Sequence, residues 1–175
     1  MRAVVSLLLV LCACTPKPTP PIDAPTMIFF VRHAEKATDQ GDDPPLTALG
    51  SARALDLERL LRHSGIRHIF TTQYKRTQLT VDPLAKALGL TPTIVSAKDQ
   101  DAQLAALRRL PPGSVALVAG HSNTVPPMVR ALGGQTPDLA DPDYDRVLIL
   151  GLVRTATGTR GTTAELRLNT VLAVD

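Results

Sequence analysis

From Met27 onward, short apolar runs alternate with stretches whose apolar side chains recur at helical spacing. That alternation restricts the chain to an α/β architecture with a mostly parallel sheet. Met27 to Val31 and Val115 to Ala119 are continuous apolar runs, the pattern of strands covered on both faces, and Ile66 to Thr71 reads as the second strand. Thr93 to Val95 reads as a short strand. Between them, Thr47 is placed to cap a helix carrying Ala54, Leu57 and Leu61 on one face, with Gly65 just past its end. A second helical pattern runs from Tyr74 to Leu88 and stops at Gly89, with Pro83 expected to kink or restart it and Asp82 as the new cap. Asp101 to Leu110 and Val125 to Leu132 read as further helices, the latter with Pro126 and Pro127 in its first turn. Arg146 to Val153 and Thr163 to Leu168 read as an antiparallel edge hairpin joined through Gly158 and Gly161. There is no internal repeat.

The strand ends carry the chemistry. Arg32 and His33 follow the first run, Arg76 comes soon after the second, and His121 closes the run ending at Gly120. In open α/β sheets ligands bind beyond the carboxyl ends of the strands. Two guanidiniums and two imidazoles converging there suit a phosphoryl group, whose equatorial oxygens accept forked, charged donors. Neighbouring cations disfavour protonation of His33, leaving a nitrogen able to attack phosphorus. His121 is placed to donate to the phosphoryl oxygens. The leaving alkoxide needs a proton, and Glu35, Asp99 and Asp101 are the candidate donors. Asp43 lies in the first crossover. His63 and His68 read as structural or solvent-facing. No His, Cys or carboxylate spacing suggests a zinc site.

The first residues set a compartment. Arg2 precedes an apolar stretch from Ala3 to Leu11, about half the length of a spanning helix, and Leu11-Cys12-Ala13-Cys14 follows. Residues 1–13 therefore read as a signal peptide. Its end resembles the lipobox of bacterial lipoproteins, which implies cleavage after Ala13, lipidation of Cys14 and tethering to a membrane face outside the cytoplasm, in the periplasm and most simply at the outer membrane. Residues 14–26 form a linker with Pro16, Pro18, Pro20, Pro21 and Pro25, extended at roughly 3.1 Å per residue. Residues 27–175 form one domain. Loss of the leader takes one positive charge from a net +3, and aromatic content is 3%. Both disfavour nucleic acid as a partner.

Arg32-His33-Ala34-Glu35 resembles the signature of the histidine phosphatase superfamily, which includes the phosphoglycerate mutases and the small phosphohistidine phosphatases. Phe70 to Thr80 is similar to its second-arginine segment, and Ala119-Gly120-His121-Ser122-Asn123 to its second-histidine segment. Leu46-Thr47-Ala48-Leu49-Gly50 is similar to the turn that opens its first helix. The resemblance implies a three-layer α/β/α sandwich with an antiparallel edge. It also implies a phosphorylated His33, a phosphate pocket completed by Arg32, Arg76 and His121, and a reaction without metal or cofactor.

Two departures narrow it. Ser122 stands where the acid-phosphatase branch has an Asp, and the segment after Arg76 lacks the insertion that carries the mutase branch's Glu. The expected substrate is a small phosphorylated molecule or a phosphoprotein. The alternative is a lipoprotein that keeps the pocket and binds phosphate without turnover. Loops from Asp39 to Pro45, Ser96 to Gln103 and Gly133 to Asp143 are expected to shape specificity.

Overall fold

A computed structural model of the chain describes residues 24–38, 41–155 and 158–170. The expected leader, Cys14 and most of the Pro-rich linker lie outside the described residues. The elements are β1 (Thr26–Arg32), α1 (Ala48–Leu61), β2 (His68–Thr71), α2 (Lys75–Leu88), β3 (Thr93–Ile94), α3 (Gln100–Arg108), β4 (Val115–Gly120), α4 (Val125–Ala131), β5 (Arg146–Thr155) and β6 (Gly158–Arg167).

They build one six-stranded sheet in the order β3-β2-β4-β1-β5-β6. The strands β1, β2, β3 and β4 are mutually parallel, and β5 runs antiparallel to both β1 and β6. Strand side chains alternate between faces, and the two cores follow that alternation. Ile28, Phe30, Ala116 and Val118 pack with Leu104 and Leu107 of α3 and Met128 and Val129 of α4. Val31, Leu117 and Ala119 pack with Leu57 and Leu61 of α1 and Val81 and Leu84 of α2. The expected α/β fold with a mostly parallel sheet and an antiparallel edge is the fold observed.

The two central strands send their chains to opposite faces, β1 leading to α1 and β4 to α4. Their carboxyl ends therefore part and leave a crevice, the switch point at which open α/β sheets bind ligands. The loop after β1 is pinned to α1 at this point. Thr47 N–H donates to the Glu35 carbonyl at 2.9 Å, and the Thr47 hydroxyl caps the helix by accepting from Gly50 N–H at 3.0 Å. Gly50 packs so tightly that a Cβ there would collide with the Glu35 carbonyl oxygen.

Three expectations are corrected. The helix α2 runs unbroken through Pro83. Val81, Leu84 and Ala85 on either side of the proline are buried in the α1/α2 core, and that packing offsets the missing backbone donor. The second hairpin strand begins at Gly158, with Thr155 opposite it, so Gly158 and Gly161 lie inside β6. A Cβ on Gly161 would collide with the Gly133 backbone, which packs across it; the glycine serves close approach, not a turn. Thr26, assigned to the linker, is buried and paired with Leu152 as the first residue of β1.

Candidate active site

His33 directly follows β1, and its N–H donates to the Gly120 carbonyl at 2.9 Å, so β4 holds its backbone. Ala34 N–H donates to Thr80 Oγ1 at 2.9 Å, and that hydroxyl donates to the Arg76 carbonyl at 2.7 Å, tying the loop to α2. His33 is buried, 4% exposed. Its Nδ1 lies 2.8 Å from the Ala34 carbonyl oxygen. A carbonyl only accepts, so in the neutral ring Nδ1 carries the proton and Nε2 keeps its lone pair.

His121 directly follows β4, its ring centroid 5.4 Å from that of His33 at an interplanar angle of 64°. A run of hydroxyls orients it. Thr77 Oγ1 donates to the Tyr74 carbonyl at 2.8 Å, which leaves it to accept from the Thr72 hydroxyl, also at 2.8 Å. Thr72 Oγ1 in turn accepts from His121 Nε2 at 3.2 Å. Sequence reasoning missed Thr72 and Thr77, because two threonines in a strand-to-helix turn carry no signal of where their hydroxyls point.

Both imidazoles are held neutral. Burial, then the charges of His121, Arg76 and Arg32, push the His33 pKa down to about 4 against the opposing bond to Ala34. Burial, then Arg76 and Arg32, push His121 down to about 4. The sequence suggested the direction from charge alone; desolvation is the larger cause.

The two arginines differ. Arg76 lies over the Tyr74 ring, 4.2 Å from its centroid, and lines the crevice. Its Nε is buried with no partner among the described residues, and Nη1 faces Asp43 at 3.8 Å. Arg32 is drawn sideways. Its Nη1 donates to the carbonyls of Ala140 and Asp141 at 3.0 and 2.8 Å, and Nη2 donates to Asp141 Oδ1 at 3.3 Å and Tyr144 Oη at 3.2 Å. Its guanidinium stacks 4.0 Å from the Tyr144 centroid. Four of its donor contacts thus serve the 140–144 loop, and only the buried Nε remains unpartnered.

The chain's two tyrosines each bridge an arginine to a histidine. The Tyr74 ring stands edge-on to His121 at 5.5 Å, and the Tyr144 ring lies 5.9 Å from His33. Neither was singled out in the sequence.

The candidate proton donors are not brought into the crevice. Glu35 is locked in a forked pair with Arg53, accepting from Nε at 2.9 and 3.0 Å and from Nη2 at 2.5 Å. Asp99 caps α3 by accepting from Ala102 N–H at 2.8 Å. Asp101 is exposed in the first turn of α3. The crevice, about 340 Å³, is lined by His33, Lys36, Tyr74, Arg76, Lys98 and His121 and by the Ser122–Thr124 turn. No carboxylate among the described residues lines it. Asp43 is nearby, but its carboxylate accepts from Lys75 N–H at 2.9 Å at the start of α2. No group of His, Cys, Asp or Glu among the described residues is arranged to hold a metal.

Residues 28–99 match the histidine phosphatase superfamily (branch 1). The matched segment holds Arg32, His33 and Arg76, while His121 lies beyond it. Over 69 residues the chain is 41% identical to a "Probable phosphoglycerate mutase GpmB" of Yersinia enterocolitica, covering 36% of this chain and 32% of that one. The chain thus spans about a third of the length of the curated relatives it matches. Among solved structures, the protein histidine phosphatase SixA complexed with tungstate superposes with TM-score 0.58 at 18% identity, over 81% of this chain and 96% of that chain. A mycobacterial glucosyl-3-phosphoglycerate phosphatase, Rv2419c, superposes with TM-score 0.60 at 11% identity, over 83% and 99% respectively. At these identities the likeness is one of fold.

Proposed function

We propose that this protein is a phosphatase that passes a phosphoryl group through His33 to water. The observation that carries this reading is the His33 ring itself. Its Nδ1 is committed to the adjacent carbonyl 2.8 Å away, and its Nε2 is unprotonated beside His121 and Arg76. The Nε2 lone pair forms the P–N bond as the bond from phosphorus to the leaving oxygen breaks and its electrons depart with that oxygen. Water then attacks phosphorus, the P–N electrons return to Nε2, and phosphate leaves. The buried Nε of Arg76, which lines the crevice and is unpartnered among the described residues, is a donor that a phosphoryl oxygen satisfies. The reading assigns no metal or cofactor to either step.

The acid-poor crevice sets the substrate preference. With no carboxylic acid among the described residues lining the crevice to protonate an alkoxide, turnover favours leaving groups that depart as stable anions, such as the phenolate of an aryl phosphate or the carboxylate of an acyl phosphate. Rapid mixing with an activated aryl phosphate should give an acid-labile, base-stable phosphoprotein, absent in His33→Ala, and alkyl phosphates should turn over at least about 10²-fold more slowly. No label on either protein, with inorganic phosphate still bound, favours the phosphate-binding lipoprotein instead. The locking of Arg32 into the 140–144 loop is the observation on that side.

Tethering belongs to the same proposal and rests on Leu11-Cys12-Ala13-Cys14. Metabolic labelling with a radioactive fatty acid should mark the parent chain and not Cys14→Ser. Equal labelling would reject the anchor.

A further inference from the structure

At the end of the sheet opposite the crevice, arginines outnumber the acids paired with them among the described residues. The helices α3 and α4 finish here, as does β5, and the first turn of β6 begins here. Arg108, Arg130 and Arg154 line a second crevice of about 490 Å³ whose walls include Leu132, Leu152 and Thr159. Arg130 is paired with Asp138 at 2.9 Å. Among the described residues Arg108 and Arg154 donate only to carbonyls: Arg108 to Ala131 at 3.1 Å, and Arg154 to Arg108 and Leu110 at 2.8 and 2.6 Å. A guanidinium has five donors, so these bonds fix the heads and leave charge and donors to spare. Arg109, the C-cap of α3, and Arg160, across from Val153 on β6, are exposed and make no ion pair among the described residues.

Compensation of helix dipoles explains one cation at each helix C-terminus, which covers Arg108 and Arg130. It does not explain Arg154 and Arg160, which lie on strands. The chain also enters the domain at this end: the Ala24 carbonyl accepts from Gly113 N–H at 3.1 Å, and Thr26 pairs with Leu152. The residues that precede Ala24 include the apolar stretch and Cys14.

We propose that this arginine-rich end of the sheet docks on the anionic headgroups of a lipid bilayer. Headgroup phosphates bridge Arg108 and Arg154 in the crevice, Arg109 and Arg160 widen the cationic footprint, and half-exposed Val153 meets the interface. The domain is then seated with its catalytic crevice on the far side. This inference goes beyond the phosphatase reading and does not require it.

The test uses the full chain carrying Cys14→Ser, so that acylation does not dominate, with phosphatidylcholine vesicles holding or lacking about a third phosphatidylglycerol. Each arginine near an anionic surface contributes roughly fivefold in affinity. Arg109→Glu with Arg160→Glu, neither of which breaks a side-chain bond among the described residues, should weaken sedimentation with the anionic vesicles at least tenfold. Lys75→Glu, at the opposite end, should change it less than twofold. Binding should also fall steeply with added salt. Equal binding to both vesicle types overturns the proposal, as does an equal loss in Lys75→Glu or full displacement by millimolar inorganic phosphate. Hydrolysis of a soluble aryl phosphate by the double variant reads the catalytic proposal separately.

Discussion

The two ends of the sheet use the same residue type in opposite ways. At the crevice end, arginines are buried or half-buried and held: Arg32 in the 140–144 loop, Arg53 on Glu35, Arg146 on Glu165 at 2.6 Å, and Arg76 over Tyr74 beside Asp43. At the other end Arg109 and Arg160 are exposed and have no acid paired with them among the described residues. A cation that must act on a reacting group is fixed in place, because reorganising it during the reaction would cost barrier height. A cation that attracts a surface needs only net charge within a Debye length. Placement, not composition, separates the two uses, and the net charge of +3 hides both.

The contrast breaks most sharply at His33. His33→Ala should lower kcat on an aryl phosphate by at least about 10³-fold while circular dichroism shows the fold intact, and comparable turnover would remove His33 from the chemistry. Arg76→Ala should weaken inorganic phosphate binding about 10- to 100-fold, the worth of one charge-assisted contact, as read by calorimetry. The Arg109→Glu, Arg160→Glu pair should leave that affinity unchanged. A similar loss in both would show that the ends are not distinct.

The pH dependence belongs to the crevice end alone. Both histidines titrate near 4 in the folded chain against about 6.5 when unfolded, so the unfolded state binds more protons between those values. The stability they contribute is complete above pH 6.5 and is lost as pH falls toward 4. Denaturant titrations across that window should show the fall, and replacing His33 and His121 by Gln should flatten it. The smallest effect is expected at the pinned loop. Gly50→Ala overpacks the Glu35 contact by about 1–3 kcal/mol, a drop of roughly 3–10 °C in Tm, with turnover reduced because His33 sits in the same loop. An unchanged Tm would show that the loop yields freely.

The framework was legible because it rests on patterns that the sequence states directly. The apolar runs at Met27 to Val31 and Val115 to Ala119 and the Thr47 cap needed no partner to be read. What stayed hidden depends on where long side chains end. Arg32 follows its strand just as a phosphate ligand would, yet the Ala140 and Asp141 carbonyls capture it from more than a hundred positions away. Glu35 sits two residues from His33, but β1 has ended by then and Arg53 on α1 draws its carboxylate from the crevice. Pro83 reads as a break only until the buried Val81 and Leu84 beside it are counted.

The bond from His33 Nδ1 to the Ala34 carbonyl joins neighbours along the backbone, so the tautomer that arms the first imidazole asks nothing of remote parts of the molecule. The second imidazole leans on a bucket line of hydroxyls spanning β2 and α2. Drift in sequence or a loosening of α2 would therefore release the ring of His121 well before it touched that of His33.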